Sequence, residues 1–128
     1  MVLSDHGAAL KAVLDGMPGA VGEPITASRG SEPLVMIYKI MGKMFAILSL
    51  RDEPFVILKC DPFRADLLRE TYDGIGHRSH LDRRYWISVD LGADVPADEV
   101  RALVAHSWDQ VAAGLTRKQR DELASLGA

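Results

Sequence analysis

This chain of 128 residues is defined first by what it has little of. It carries a single cysteine, Cys60, which excludes an intramolecular disulfide framework and with it the usual staple of a small secreted domain. No long apolar run is present: stretches such as Met44 to Leu48 fall far short of the roughly 20 residues that cross a bilayer. Met1 to Leu14 holds Asp5, His6 and Lys11 around no extended apolar centre, which is not the pattern of a secretory leader. A cytoplasmic location and no membrane partner are therefore expected. No sign of charge dominates either. Lys and Arg total 15 against 18 Asp and Glu, and a net charge of −3 excludes a uniformly basic nucleic-acid coat.

What is present is ordinary for a globular domain. Hydrophobic residues make up 48% of the chain, too many for intrinsic disorder. With no repeat and no long linker, residues 1–128 read as one domain. Leu10, Val13, Leu14 and Met17 recur at helical spacing, with Ser4 as N-cap and Pro18-Gly19 as a stop. Ala20 to Pro33, with two Gly and two Pro, reads as loop. Leu34 to Ile40 and Lys43 to Leu50 are separated only by Met41-Gly42, a tight hairpin that would pair Tyr38 with Phe45 and Lys39 with Met44. Arg51 to Pro54 turns the chain into a third strand, Phe55 to Cys60. Connections this short make an antiparallel meander.

Asp61-Pro62 then suits a helix start, with Phe63, Leu67, Leu68 and Thr71 on one face. Gly74 and Gly76 end that helix, a basic loop covers residues 77 to 84, and Tyr85 to Leu91 alternates as a strand. Pro96 opens the longest helix, whose stripe of Val100, Leu103, Val104, Ser107, Trp108, Val111 and Leu115 must face a core. Thr116 to Gln119 fits a capping box for a last helix burying Leu123 and Leu126. The fold class is α+β: a three-strand antiparallel meander plus at least one further strand, with helices packed on one face. The hairpin is apolar on both sides, so part of the outer face should be covered by a terminal helix or by a second copy in a homodimer.

No catalytic constellation stands out, and the chain reads as a non-enzyme. His77 and His80 form an H-x-x-H pair, but two loop histidines without a third ligand do not make a metal site, and no cofactor is implied. His106 lies off the apolar stripe and reads as a surface residue. Ser107, in the middle of a helix, is a packing or back-bonding serine rather than a nucleophile. Cys60 closes an apolar run and reads as a small buried hydrophobe. Charge is unevenly spread: residues 1–38 carry −2, residues 39–86 carry +2 and residues 87–128 carry −3. The basic middle, with Tyr85 and Trp86 beside it, has the composition to contact phosphates and stack a base, although a solvated sheet edge has it too.

Several motifs, taken in order, resemble the MmcQ/YjbR family of small bacterial proteins. They are Pro18-Gly19-Ala20, Lys43-Met44-Phe45, Leu58-Lys59, the run Ser79-His80-Leu81-Asp82-Arg83-Arg84-Tyr85-Trp86 leading into Ile87 to Leu91, then Leu91 to Val100, and Ser107-Trp108. Tyr85 stands where that family usually has His, and Trp108 where it usually has Tyr. The resemblance implies a CyaY-like (frataxin-like) α+β fold. It also implies DNA as a partner, by the family's analogy with a "double wing" domain, with Lys43, Lys59, His80, Arg83, Arg84 and Trp86 as the nucleic-acid-binding residues. Iron binding, which such folds also raise, needs an acidic ridge on the first helix, where only Asp5 and Asp15 are available. The alternative to DNA is a protein- or small-molecule-interaction module using the apolar sheet face.

Overall fold

The computed structural model describes residues 5–26, 33–50 and 53–126. The chain runs through helix α1 (Asp5–Asp15), strands β1 (Ala20–Thr26), β2 (Pro33–Ile40), β3 (Lys43–Ser49) and β4 (Phe55–Lys59), then helix α2 (Pro62–Thr71). Strands β5 (Ile75–Gly76) and β6 (Trp86–Asp90) follow, with helices α3 (Ala97–Ala113) and α4 (Arg117–Leu126) last. All strand pairs are antiparallel, in the order β1-β2-β3-β4-β6-β5. The α+β architecture is the one the hydropathy pattern requires, with two strands more than the pattern reveals. Ser4 and the Arg51-Asp52 half of the expected turn lie outside the described residues.

The β2–β3 turn has positive φ at both central residues, Met41 at 49° and Gly42 at 81°. That is the two-residue turn whose twist matches the flanking strands. The expected Lys39–Met44 pair forms, but Tyr38 faces Ala46, not Phe45, because the register shifts between Tyr38 and Lys39. The bulge leaves Phe45 as the extra residue and turns its ring inward. The Tyr38 and Phe45 rings still meet, with centroids 6.4 Å apart, and both are fully buried.

Alternation then sorts the sheet into two faces. Tyr38, Ile40, Ala46, Leu48, Val56, Leu58, Ile87 and Val89 are shut into the core. α3 lies on this side across β2, β3 and β4, and α1 lies beside it. The Asp61 side chain caps α2 by accepting from the Phe63 and Arg64 amides, as the Asp-Pro signal predicts. Arg64 pairs with Glu99 of α3 and so places α2 on the helical side. The expected capping box closes reciprocally: Thr116 N donates to Gln119 Oε1 at 3.0 Å, and Gln119 N to Thr116 Oγ1 at 3.1 Å.

Some expectations fail for identifiable reasons. Ala20 to Thr26 is a strand, not loop, because an edge strand tolerates Pro24. Gly22 in that strand sits against the Tyr38 ring, where a Cβ would come within 2.9 Å of it. On α2 the buried residues are Ala65 and Leu68, while Phe63 and Leu67 face solvent. Gly76 does not end that helix but pairs with Ser88 in β5. On α4 Leu123 is buried and Leu126 exposed. Neither Tyr38 nor Phe45 reaches the outer sheet face. That face is built from Ile37 and Ile47, which are cross-strand partners and half-buried, together with Ile57, Phe55 and the exposed Val21 and Ile25.

Candidate functional site

Lys59 and Trp86 are cross-strand partners on β4 and β6. Their neighbours Leu58 and Ile87 point into the core, so alternation puts Lys59 and Trp86 on the outer face, at the end of the sheet where β6 begins. Both are half-buried. Lys59 is held by its backbone: its N–H donates at 2.9 Å to Ser107 Oγ, and that hydroxyl donates at 2.5 Å to the Phe45 carbonyl of the bulge. Ser107 is fully buried. It is a packing serine, as its position in the stripe suggests, but it bonds across to two strands and not back along its own helix.

The segment leading into Trp86 is a single tight turn nucleated by Asp82. Its side chain accepts from the Arg84 N–H at 2.9 Å, and its carbonyl accepts from the Tyr85 and Trp86 amides, each at 3.0 Å. The carboxylate also holds the Arg84 guanidinium, with Nη2 to Oδ2 at 2.9 Å, and this contact lowers its pKa. Arg84 in turn lies over the Tyr85 ring, 5.4 Å from its centroid. Upstream, His77 Nε2 lies 2.6 Å from the Leu81 carbonyl and must carry the proton to bond it. His80 is exposed. The H-x-x-H pair is thus split between a loop brace and solvent, and among the described residues no group of three or more His, Cys, Asp or Glu could hold a metal.

Arg69, which sequence reasoning passed over as one more charge on α2, organises this turn. Its Nη2 donates to the Arg83 carbonyl at 2.6 Å and to the Trp86 carbonyl at 2.9 Å. Its side chain is only 10% exposed, and its Nε has no hydrogen-bond partner among the described residues. A guanidinium spreads donors over a planar fork, so it can accept this position and bracket Arg84 and Tyr85 from behind. The only signal in the sequence is its place on α2, directed away from the exposed Phe63 and Leu67.

Of the six residues named from the sequence, Lys59, Arg83, Arg84 and Trp86 therefore meet around one turn, with His80 in the same loop. Lys43 stands apart: its Nζ donates at 3.1 Å to the Gly114 carbonyl at the C-terminus of α3, on the helical side. Arg84 is neutralised by Asp82, whereas the Lys59 and Arg83 side chains have no carboxylate partner among the described residues. Cys60, next to Lys59, is buried, and burial pushes its thiol up to about 11, far from a thiolate at neutral pH.

His106 is not the surface residue its sequence position suggests. It is half-buried, and its Nε2 accepts from the Asp61 N–H at 3.1 Å, at the start of α2. Burial, and then the nearby Arg64 charge, lower its pKa. This bond requires an unprotonated Nε2 and so favours the neutral ring.

The family described as YjbR matches residues 16–110. An uncharacterised Escherichia coli O157:H7 protein, YbdF, is 35% identical over 85 residues, which cover 66% of this chain and 70% of that one. The uncharacterised protein YjbR of Escherichia coli K12 is 29% identical over 89 residues, covering 69% of this chain and 75% of that one. A Deinococcus radiodurans crystal structure with a domain described as DUF419 superposes with a TM-score of 0.76 at 27% identity, covering 91% of this chain and 86% of that one. A Pseudomonas syringae protein shares the fold with a TM-score of 0.56 at 20% identity, over 70% of this chain and 86% of that one.

Proposed function

The chain belongs to the YjbR family, and from that premise we propose that it is a non-enzymatic domain that binds the backbone of double-stranded DNA. One observation carries the reading: Lys59, the cross-strand partner of the half-exposed Trp86, and Arg83, in the turn that leads into Trp86, are cations without carboxylate partners among the described residues. Phosphates are neutralised by Lys and Arg while an aromatic face offers a stacking surface, and neither requires a particular base sequence. Arg84 contributes less, because Asp82 already holds it. The acidic groups elsewhere keep binding weak and local.

Fluorescence anisotropy of a labelled duplex against salt tests this. Each lost phosphate contact removes about 0.9 from the log–log salt slope, so Lys59→Ala with Arg83→Ala should flatten it by nearly 2, and Arg84→Ala by less. Absence of binding at low salt, or a slope indifferent to the double substitution, refutes the proposal. A second reading, an apolar partner or second copy on the same face, is favoured by the half-exposed Ile37–Ile47 pair. It predicts association that ignores salt and is lost on Ile47→Asp, read by sedimentation.

A further inference from the structure

At the opposite end of the sheet, where β4 begins and β6 ends, two cavities adjoin along His6, Leu91, Gly92 and Ala93, which line both. One, of about 200 Å³, runs between α1 and the start of α3 and is walled mainly by Leu10, Val13, Val95 and Val100, with Arg101, ion-paired to Asp98, also lining it. The other, of about 440 Å³, is charged: Arg78, Asp90, Glu53 and the ring of His6 face it. We propose that the two lobes form one binding site for a small zwitterion with an apolar tail, an α-amino acid of leucine or phenylalanine size. The inference is independent of the nucleic-acid reading, whose residues lie at the other end of the sheet.

Size and charge both select this class of ligand. An apolar cavity of roughly 150 Å³ accommodates benzene, so the apolar lobe has room for an isobutyl or benzyl group. In the charged lobe Arg78 and Asp90 stand 3.1 Å apart as an exposed pair, with Arg78 steadied over the Phe55 ring at 4.9 Å. A carboxylate can take the guanidinium while an ammonium takes Asp90 and Glu53, so the ligand satisfies both signs at once. A simple acid or amine would leave one of them unmatched. Glu53 and His6 have no ion-pair or hydrogen-bond partner among the described residues, so both are available. Gly92, which lines both lobes, has a φ of +83°, and a Cβ there would come within 3.0 Å of the His6 ring. A larger residue there would push His6 toward one lobe.

The full chain, labelled with ¹⁵N, is titrated with L-leucine, glycine, 4-methylpentanoate and 3-methylbutylamine. Leucine should give saturable shifts at the amides of Leu91, Gly92 and Ala93. The three analogues, each lacking one part of the ligand, should bind at least about tenfold more weakly, the equivalent of 1.4 kcal/mol. Ala9→Phe, at an exposed position on the rim of the apolar lobe, should abolish binding without lowering the unfolding midpoint. Arg78→Gln should weaken leucine more than the amine. No saturable shift with leucine overturns the proposal. So does 4-methylpentanoate binding as tightly as leucine, or unchanged affinity in Ala9→Phe; the analogue series on the unaltered chain decides the matter even where a variant fails to fold.

Discussion

Replacing Ser107 by Ala is the sharpest test of how this sheet is held. The side chain is fully buried, and its one oxygen serves two backbone groups in two strands, the Phe45 carbonyl at 2.5 Å and the Lys59 N–H at 2.9 Å. Leaving a buried polar group without its partner costs about 1–3 kcal/mol. Phe45 is fully buried and Lys59 half-buried, so the carbonyl sits toward the upper part of that range and the amide toward the lower. The expected loss is about 2–4 kcal/mol, a large share of the roughly 5–15 kcal/mol available to a domain. Urea denaturation of both proteins, monitored by tryptophan fluorescence and far-ultraviolet circular dichroism, should show a lower midpoint with an unchanged slope. A loss below about 0.5 kcal/mol, the scale of a surface substitution, would refute the reasoning. It would mean that the bulge and the end of β4 find water or other partners as soon as the hydroxyl is gone.

Other consequences follow from the same geometry. His106 has a native pKa below its ordinary value of 6.5, so above that value it is neutral both folded and unfolded and its contribution is complete. As pH falls from 6.5 toward the lowered native value, the unfolded chain takes up the proton first and stability is lost; denaturation midpoints from pH 8 to 5 should fall less in His106→Gln than in the parent. Arg69→Met removes the donors to the Arg83 and Trp86 carbonyls and should destabilise by about 1–3 kcal/mol while shifting the Trp86 emission. Unchanged hydrogen exchange across Arg83 to Trp86 in that variant would show that the turn does not depend on Arg69.

Much of the fold is legible in the sequence because its signals are local. The Met41-Gly42 hairpin, the Asp61-Pro62 helix start, the Thr116–Gln119 capping box and the stripe on α3 each depend on residues within a few positions of one another. Where a signal needs a distant partner it fails. Ala20 to Thr26 holds Gly and Pro and looks like loop, yet it is a strand because β2 lies beside it and Gly22 makes room for the Tyr38 ring. Periodicity puts Phe63 and Leu67 on a plausible apolar face of α2. Of that face Leu68 does turn inward, together with Ala65, but Phe63 and Leu67 are left in solvent.

The candidate site divides the same way. The basic loop and the Lys59 and Trp86 strand ends are apparent in the sequence as composition and order. Which cations are available is decided by pairing across the fold: Asp82 takes Arg84, Gly114 takes Lys43, and Lys59 and Arg83 keep their charge unmatched among the described residues. The sequence by itself determined the class of fold, the core-facing stripes and the family resemblance, since hydrophobic period and capping chemistry act over a turn or two of chain. Tertiary structure alone decided the roles of Ser107, His106 and Arg69 and the meeting of the two cavities at Gly92. Hydrogen bonds and cavities join groups that the chain keeps dozens of residues apart, and no local pattern encodes that distance.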